Sequence, residues 1–142
     1  MSMPRTAASR DTLEEFLSSS PFHRMLGLSL GDVDSVAQRV VIRSRWNEQI
    51  RRGDGAEQYH GGVIASVIDI AGDFALIAVL GYGVPTINFR VDYLRPAGGG
   101  DLEARATVRR AGRTVGVVDV EVLDAEGRLV ALGRGCYGTQ PG

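Results

Sequence analysis

From Val63 to Leu80 the chain runs for eighteen residues, fourteen of them Val, Ile, Leu, Ala or Phe. The exceptions are Ser66, Asp69, Gly72 and Asp73. This stretch reads as one long helix, and it is too apolar to lie on a water-facing surface. Two carboxylates inside it are costly unless they have partners or a purpose. Asp69 and Asp73 also stand one turn apart, where like charges repel. A helix that only filled a core would not be expected to carry both. The run is long enough to cross a membrane, but two central Asp residues oppose insertion and no positively charged flank accompanies it. No membrane role is expected.

Around this helix the chain reads as one domain of 142 residues, with a core over about 22–138 and loose ends at 1–10 and 139–142. Net charge is −1, which gives no case for nucleic acid as a partner. All sixteen basic residues are Arg, which by itself assigns no function. The single cysteine, Cys136, excludes a disulfide framework and reads as an inert small residue. Two histidines, His23 and His60, lie in no metal-ligand spacing, so neither metal nor cofactor is expected. The N-terminus has no apolar segment of a secretory signal, and a cytoplasmic location is expected.

Thr12 followed by Glu15 has the capping-box pattern, which predicts a short helix to about Ser19, ended by Ser20-Pro21. Strand-like stretches follow at Leu26–Val33 and Val36–Trp46, with a turn at Asp32–Ser35. Residues 49–58 form a polar loop that delivers the chain to His60. After Gly81-Tyr82-Gly83 stops the long helix, four strands alternate with period two. In the first of them Ile87, Phe89, Val91 and Tyr93 point one way, while Asn88, Arg90 and Asp92 point the other. Next, Leu102, Ala104, Ala106 and Val108 face inward, then come Val115–Leu123 and Leu129–Tyr137. The expected class is α+β: about six antiparallel strands, one long buried helix and a short N-terminal helix. Because the helix is apolar on nearly every side, one sheet alone could not bury it. A strongly curved sheet or a second copy is needed.

His60-Gly61-Gly62 stands directly before the apolar run, with Asp69 nine positions after the His. That pattern resembles the hotdog-fold acyl-CoA thioesterases, nearest to the phenylacetate-degradation and 4-hydroxybenzoyl-CoA thioesterase branch. Val91-Asp92-Tyr93-Leu94-Arg95-Pro96-Ala97, Gly112-Arg113-Thr114 and Asp124-Ala125-Glu126-Gly127-Arg128 follow in the expected order. The resemblance implies a hotdog fold, a curved sheet wrapped around the helix, paired as homodimers and often as dimers of dimers. It also implies an acyl-CoA substrate, whose coenzyme A is part of the substrate rather than a cofactor.

The backbone N–H of Gly62, at a helix N-terminus, is suited to a developing oxyanion, and the missing Cβ lets a thioester approach. Asp69 lies seven residues on, about 10 Å along the axis. One carbonyl cannot touch both groups of one helix, so a shared site requires a neighbouring antiparallel helix. In the chemistry this suggests, Asp69 is general base or nucleophile and His60 fixes the loop or binds near the thioester. By resemblance, Thr86 matches a hydroxyl that orients the water, and Asp73 falls where some relatives carry a hydroxyl. Relatives also carry Asn or Gln six positions before the His, where this chain has Asp54 and only Gln58 offers an amide nearby. Candidate substrate contacts are Gly61, Val63 and Gln58 near the helix start, Asn88, Arg95 and Pro96 in and after the first post-helix strand, and Arg113. Arg95, Arg109, Arg110 and Arg113 are equally readable as CoA-phosphate ligands or as a solvated strand face. Trp46 and Tyr59 are readable as acyl pocket or as core. Two other readings stay open: a hotdog module that binds acyl-CoA without turnover, and a hotdog dehydratase or hydratase.

Overall fold

The computed structural model describes residues 4–141. Met1 to Met3 and Gly142, which belong to the expected loose ends, lie outside the described residues. Six antiparallel strands form one sheet in the order β1-β2-β4-β5-β6-β3. The strands are β1 (Leu28–Asp34), β2 (Arg39–Ser44), β3 (Thr86–Tyr93), β4 (Leu102–Ala111), β5 (Val115–Leu123) and β6 (Leu129–Gly138). A 20-residue helix, α3 (Gly61–Leu80), lies against β2, β4, β5, β6 and β3. Two short helices, α1 (Arg10–Ser19) and α2 (Pro21–Met25), precede β1.

The alternation read in β4 is the packing pattern: Leu102, Ala104, Ala106 and Val108 are all buried. Val118, Val120 and Val122 of β5 continue the same layer. From the helix, Ile64, Val67, Ile68, Ala71, Phe74, Ala75 and Leu76 meet it, each nearly or fully out of water. Burial of each large aliphatic side chain here contributes about 1.5–3 kcal/mol, so this contact dominates stability. The 61–80 segment has the hydropathy of a membrane span, but its apolar side is spent on the sheet.

Three expected boundaries shift. The N-cap of α1 is Ser9, whose Oγ accepts the Thr12 N–H at 3.2 Å, so Thr12 sits inside the first turn and the capping box does not form. Ser20-Pro21 ends α1 but also starts α2. Ser20 caps the His23 N–H, and proline at the first position fits a helix start, so the strand begins at Leu28 rather than Leu26. The second strand starts at Arg39 because Asp34 Oδ1 accepts the Val36 and Ala37 N–H groups and holds 35–38 in a turn.

Both expected loose ends are tied down where described. Thr6 N–H donates to Leu80 O and Ala8 N–H to Ala78 O, while the Arg5 guanidinium donates to the carbonyls of Ala111, Gly112 and Arg113. Thr139 is fully buried and donates its hydroxyl to Gly112 O. The helix ends at Gly81 with φ 87°, a left-handed cap that only glycine adopts without strain.

Candidate active site

The start of α3 is built by His60. Its ring Nδ1 accepts the Gly62 N–H at 2.8 Å and so caps the helix with a side chain, leaving the ring proton on Nε2. The His60 N–H donates to Ile50 O, and the neighbouring Tyr59 N–H donates to Ala97 O. These bonds lay the His60 loop against the 94–98 loop, which places Arg95 and Pro96 at this end of the helix. Gln58 bridges to Gly98, and its Oε1 is buried with no partner. Tyr93, at the end of β3, donates its hydroxyl to Gly61 O at 2.6 Å. Gly62 is exposed and Val63 half-buried. The donor expected for an oxyanion is thus engaged by its own cap, and a carbonyl must share or displace that bond.

One stripe of α3 is left uncovered by the sheet: Gly62, Ser66, Asp69 and Asp73, spaced four, three and four residues apart. None of the four is fully buried, whereas Val67, Ile68, Ala71 and Gly72 between them are. The site residues therefore occupy the helix face that the fold leaves open. This stripe runs beside β3, an edge strand, from Tyr93 on Gly61 at one end to Thr86 on Asp69 at the other.

The Thr86 hydroxyl donates to Asp69 Oδ1 at 2.7 Å. That contact depends on a β-bulge. Thr86 pairs with Tyr137, and Asn88, two residues on, pairs with its neighbour Cys136, so the register slips between them. The slip turns Thr86 toward the helix and Asn88 away from it. Phe89, Val91 and Tyr93 then face the helix side as expected, while Asn88, Arg90 and Asp92 line a groove on the outer face with Arg134 and Cys136. Asn88 is not brought to the helix stripe, because the sheet stands between them. Arg113 is not brought there either: it lies on the β4–β5 turn at the C-terminal end of α3, where Arg5 holds its carbonyl. Arg109 is tied to Asp119 on the outer face, in keeping with the strand-face reading. Asp54 is exposed in the loop before Gln58. Trp46 and Tyr59 pack edge to face at 5.0 Å, and the buried Tyr59 hydroxyl donates to Gly100 O, so Tyr59 belongs to the core and the half-buried Trp46 packs against it.

Behind Asp69 lies a residue that sequence reading passed over. Tyr137 of β6 is fully buried, and its hydroxyl donates to the main-chain oxygen of Asp69 at 2.9 Å. It reaches the helix only because Gly72 and Gly135 lack side chains. A Cβ at Gly72 would overlap the Tyr137 hydroxyl, and one at Gly135 would sit 2.6 Å from the ring. The signal was present in the pairing of a glycine inside a long apolar helix with a tyrosine in a glycine-rich strand.

The two carboxylates of the stripe differ in surroundings. Asp69 is steadied by the Thr86 hydroxyl, whereas Asp73 has Oδ1 buried without a partner. Burial first, and the Asp69 charge second, push the Asp73 carboxyl up to about 7, against the pull of the Val84 N–H. Burial also raises the Tyr137 phenol, with both carboxylates adding to the effect.

Residues 59–131 match the thioesterase superfamily, a span that includes the His60 loop, all of α3 and the Thr86 strand. A Halobacterium salinarum protein named as an esterase is 36% identical over 136 residues, 88% of each chain. A medium/long-chain acyl-CoA thioesterase of Escherichia coli is 29% identical over 140 residues, covering 87% of this chain and 88% of its own. A solved structure from the thioesterase superfamily superposes with a TM-score of 0.85 at 36% identity, covering 90% of this chain and 96% of the other. The Escherichia coli PaaI protein of the phenylacetic acid degradation operon gives 0.80 at 26% identity, over 93% and 92%. Helix, sheet and sequence agree: the chain belongs to the thioesterase superfamily, has the hotdog fold, and is a thioester hydrolase.

Proposed function

We propose that the protein is an acyl-CoA thioesterase that works as a homodimer, with Asp69 of one protomer and the Gly62 N–H of the other acting on one thioester. The observation that carries this reading is the uncovered stripe: Gly62 and Asp69 share the one face of α3 that the sheet leaves open, and a seven-residue separation of about 10 Å keeps them from meeting on one carbonyl. A second α3 running antiparallel against the stripe supplies the missing half. The edge of β3 supports the same pairing, since Ile87, Phe89 and Tyr93 expose 57%, 38% and 52% of their surface there.

In this reading the Gly62 N–H and the positive end of the helix dipole stabilise the charge that develops on the carbonyl oxygen. The His60 ring, free at Nε2, yields the Gly62 N–H and stays beside the thioester. Asp69, aligned by Thr86, takes the proton of the attacking water or itself attacks the carbonyl carbon. Arg95 and Pro96 flank the entrance at the His60 end. The named activity of the Escherichia coli relative favours a medium- or long-chain acyl group over an aryl one. A cytoplasmic enzyme that uses no metal or cofactor fits this chemistry.

The test is thiol release from a panel of acetyl-, hexanoyl-, decanoyl-, palmitoyl-, benzoyl- and phenylacetyl-CoA. At least one thioester should be turned over, and Asp69→Asn should lower that rate about 100-fold or more, since it removes the basic oxygen and keeps the shape. Turnover by Asp69→Asn within tenfold of wild type contradicts the assignment of Asp69. Binding without thiol release would identify a carrier module instead.

A further inference from the structure

We infer that Asp69 and Asp73 act as a pair carrying a single proton, kept by Asp73, so that Asp73 is a positioning residue that places the pair's one negative charge on Asp69. The inference rests on the thioesterase reading of Asp69 and adds to it a role for the second carboxyl. One helical turn separates the two residues, which puts their Cβ atoms about 5–6 Å apart on the same open stripe. At that range two ionised carboxylates repel strongly in a partly desolvated site.

The structure distinguishes the two members. Asp69 Oδ1 accepts the Thr86 hydroxyl at 2.7 Å and so has a partner of its own. Asp73 Oδ1 is buried with no partner, and a bare anionic oxygen in that position carries a desolvation cost that a proton removes. Among the described residues of the chain, the groups facing Asp73 supply no positive charge. They are Asp69 from its own helix, the Tyr137 phenol from β6 and the Val84 N–H from the turn that follows α3. Asp73 enters none of the ion pairs among the described residues. The rise of its carboxyl into the neutral range is the same asymmetry expressed as an affinity for the proton.

For hydrolysis the consequence is specific. When water attacks, its oxygen bonds to the thioester carbon, its proton passes to Asp69, and the C=O pair moves onto oxygen. Collapse breaks the C–S bond and returns the Asp69 proton to the departing thiolate. Asp73 keeps its own proton throughout. Losing it places a second negative charge beside the developing oxyanion, which opposes the step. Activity should therefore fall as the pH rises through the range in which Asp73 ionises.

The experiment is kcat/KM from pH 5.5 to 9 with the fastest substrate of the thiol-release panel, on wild type and Asp73→Asn. Wild type should show a falling limb centred near pH 7, steepening to about tenfold per pH unit. Asp73→Asn, permanently neutral and nearly isosteric, should lose the falling limb, its kcat/KM staying level from pH 6 to 9. A limb that persists in Asp73→Asn, or a wild type level from pH 6 to 8, overturns the inference. Carbon-13 titration of the Asp73 carboxyl in the wild-type protein reads the same proton without any turnover, and a midpoint below pH 5 overturns it equally. If the panel shows no thiol release at all, the activity reading fails, and the carboxyl titration alone decides the pair.

Discussion

Replacing Asp73 by Asn should stabilise the folded protein, and by an amount that depends on pH. Burial raises the carboxyl from an ordinary value of 3.8 to about 7 on folding. At 1.36 kcal/mol per unit, the differential cost of the charged form is about 4 kcal/mol. The sign follows from where the proton sits. Between pH 4 and 7 the folded protein still binds a proton that the unfolded chain has released, so stability drops with rising pH across that window. Below pH 4 the carboxyl is neutral in both states and the penalty is absent; above pH 7 the whole penalty is present. Asn carries no charge at any pH, so the difference between variant and wild type should be small at pH 4.5 and grow by roughly 2–4 kcal/mol at pH 8, the lower figure allowing for relaxation around the charge. Urea unfolding of both proteins at pH 4.5, 6 and 8, at one protein concentration, measures it. A difference that is constant across the three pH values refutes the claim that Asp73 ionises within the folded protein near neutrality.

Gly72→Ala should cost about 1–3 kcal/mol, because the new methyl overlaps the Tyr137 hydroxyl and breaks its bond to Asp69 O. Tyr137→Phe in the same chain should recover part of that loss, and a double-mutant cycle on melting temperatures that shows no coupling contradicts the contact. Thr86→Val should cost up to about 1.5–3 kcal/mol of stability, the contribution of a hydrogen bond to a carboxylate, and lower kcat about tenfold or more because Asp69 loses the hydroxyl that aligns it. A kcat equal to wild type would remove Thr86 from the site.

What was legible in the sequence follows from the kind of signal each feature leaves. The long helix, the order of the strands and the inward set Leu102, Ala104, Ala106 and Val108 could be read because hydrophobic periodicity reports burial directly. α3 starts at Gly61, two residues before the apolar run, and its His60 cap stands three before it, because glycines carry no hydrophobic signal. Local competition decided the N-terminal errors: Ser9 and Thr12 are both able to cap, and only the packing of Leu13 and Leu17 against the core selects the earlier one. The bulge that turns Thr86 inward and Asn88 outward left no trace, since strict alternation places the two residues on one face. Tyr137 was missed for the same reason that it matters: beside its strand neighbour Gly135, its role is set by Gly72, far away in sequence, which meets it only in the fold.

The most direct test of the shared site mixes two inactive variants. Gly62→Pro deletes the N–H at a position in the first helical turn where proline is tolerated, and Asp69→Asn deletes the base. Each homodimer should be nearly inactive in thiol release. After subunit exchange, a mixed dimer holds one site with both defects and one with neither, so each mixed dimer should recover up to about half of the wild-type activity. Native mass spectrometry confirms that mixed dimers form. If they form and no activity returns, Gly62 and Asp69 do not serve one thioester from two chains.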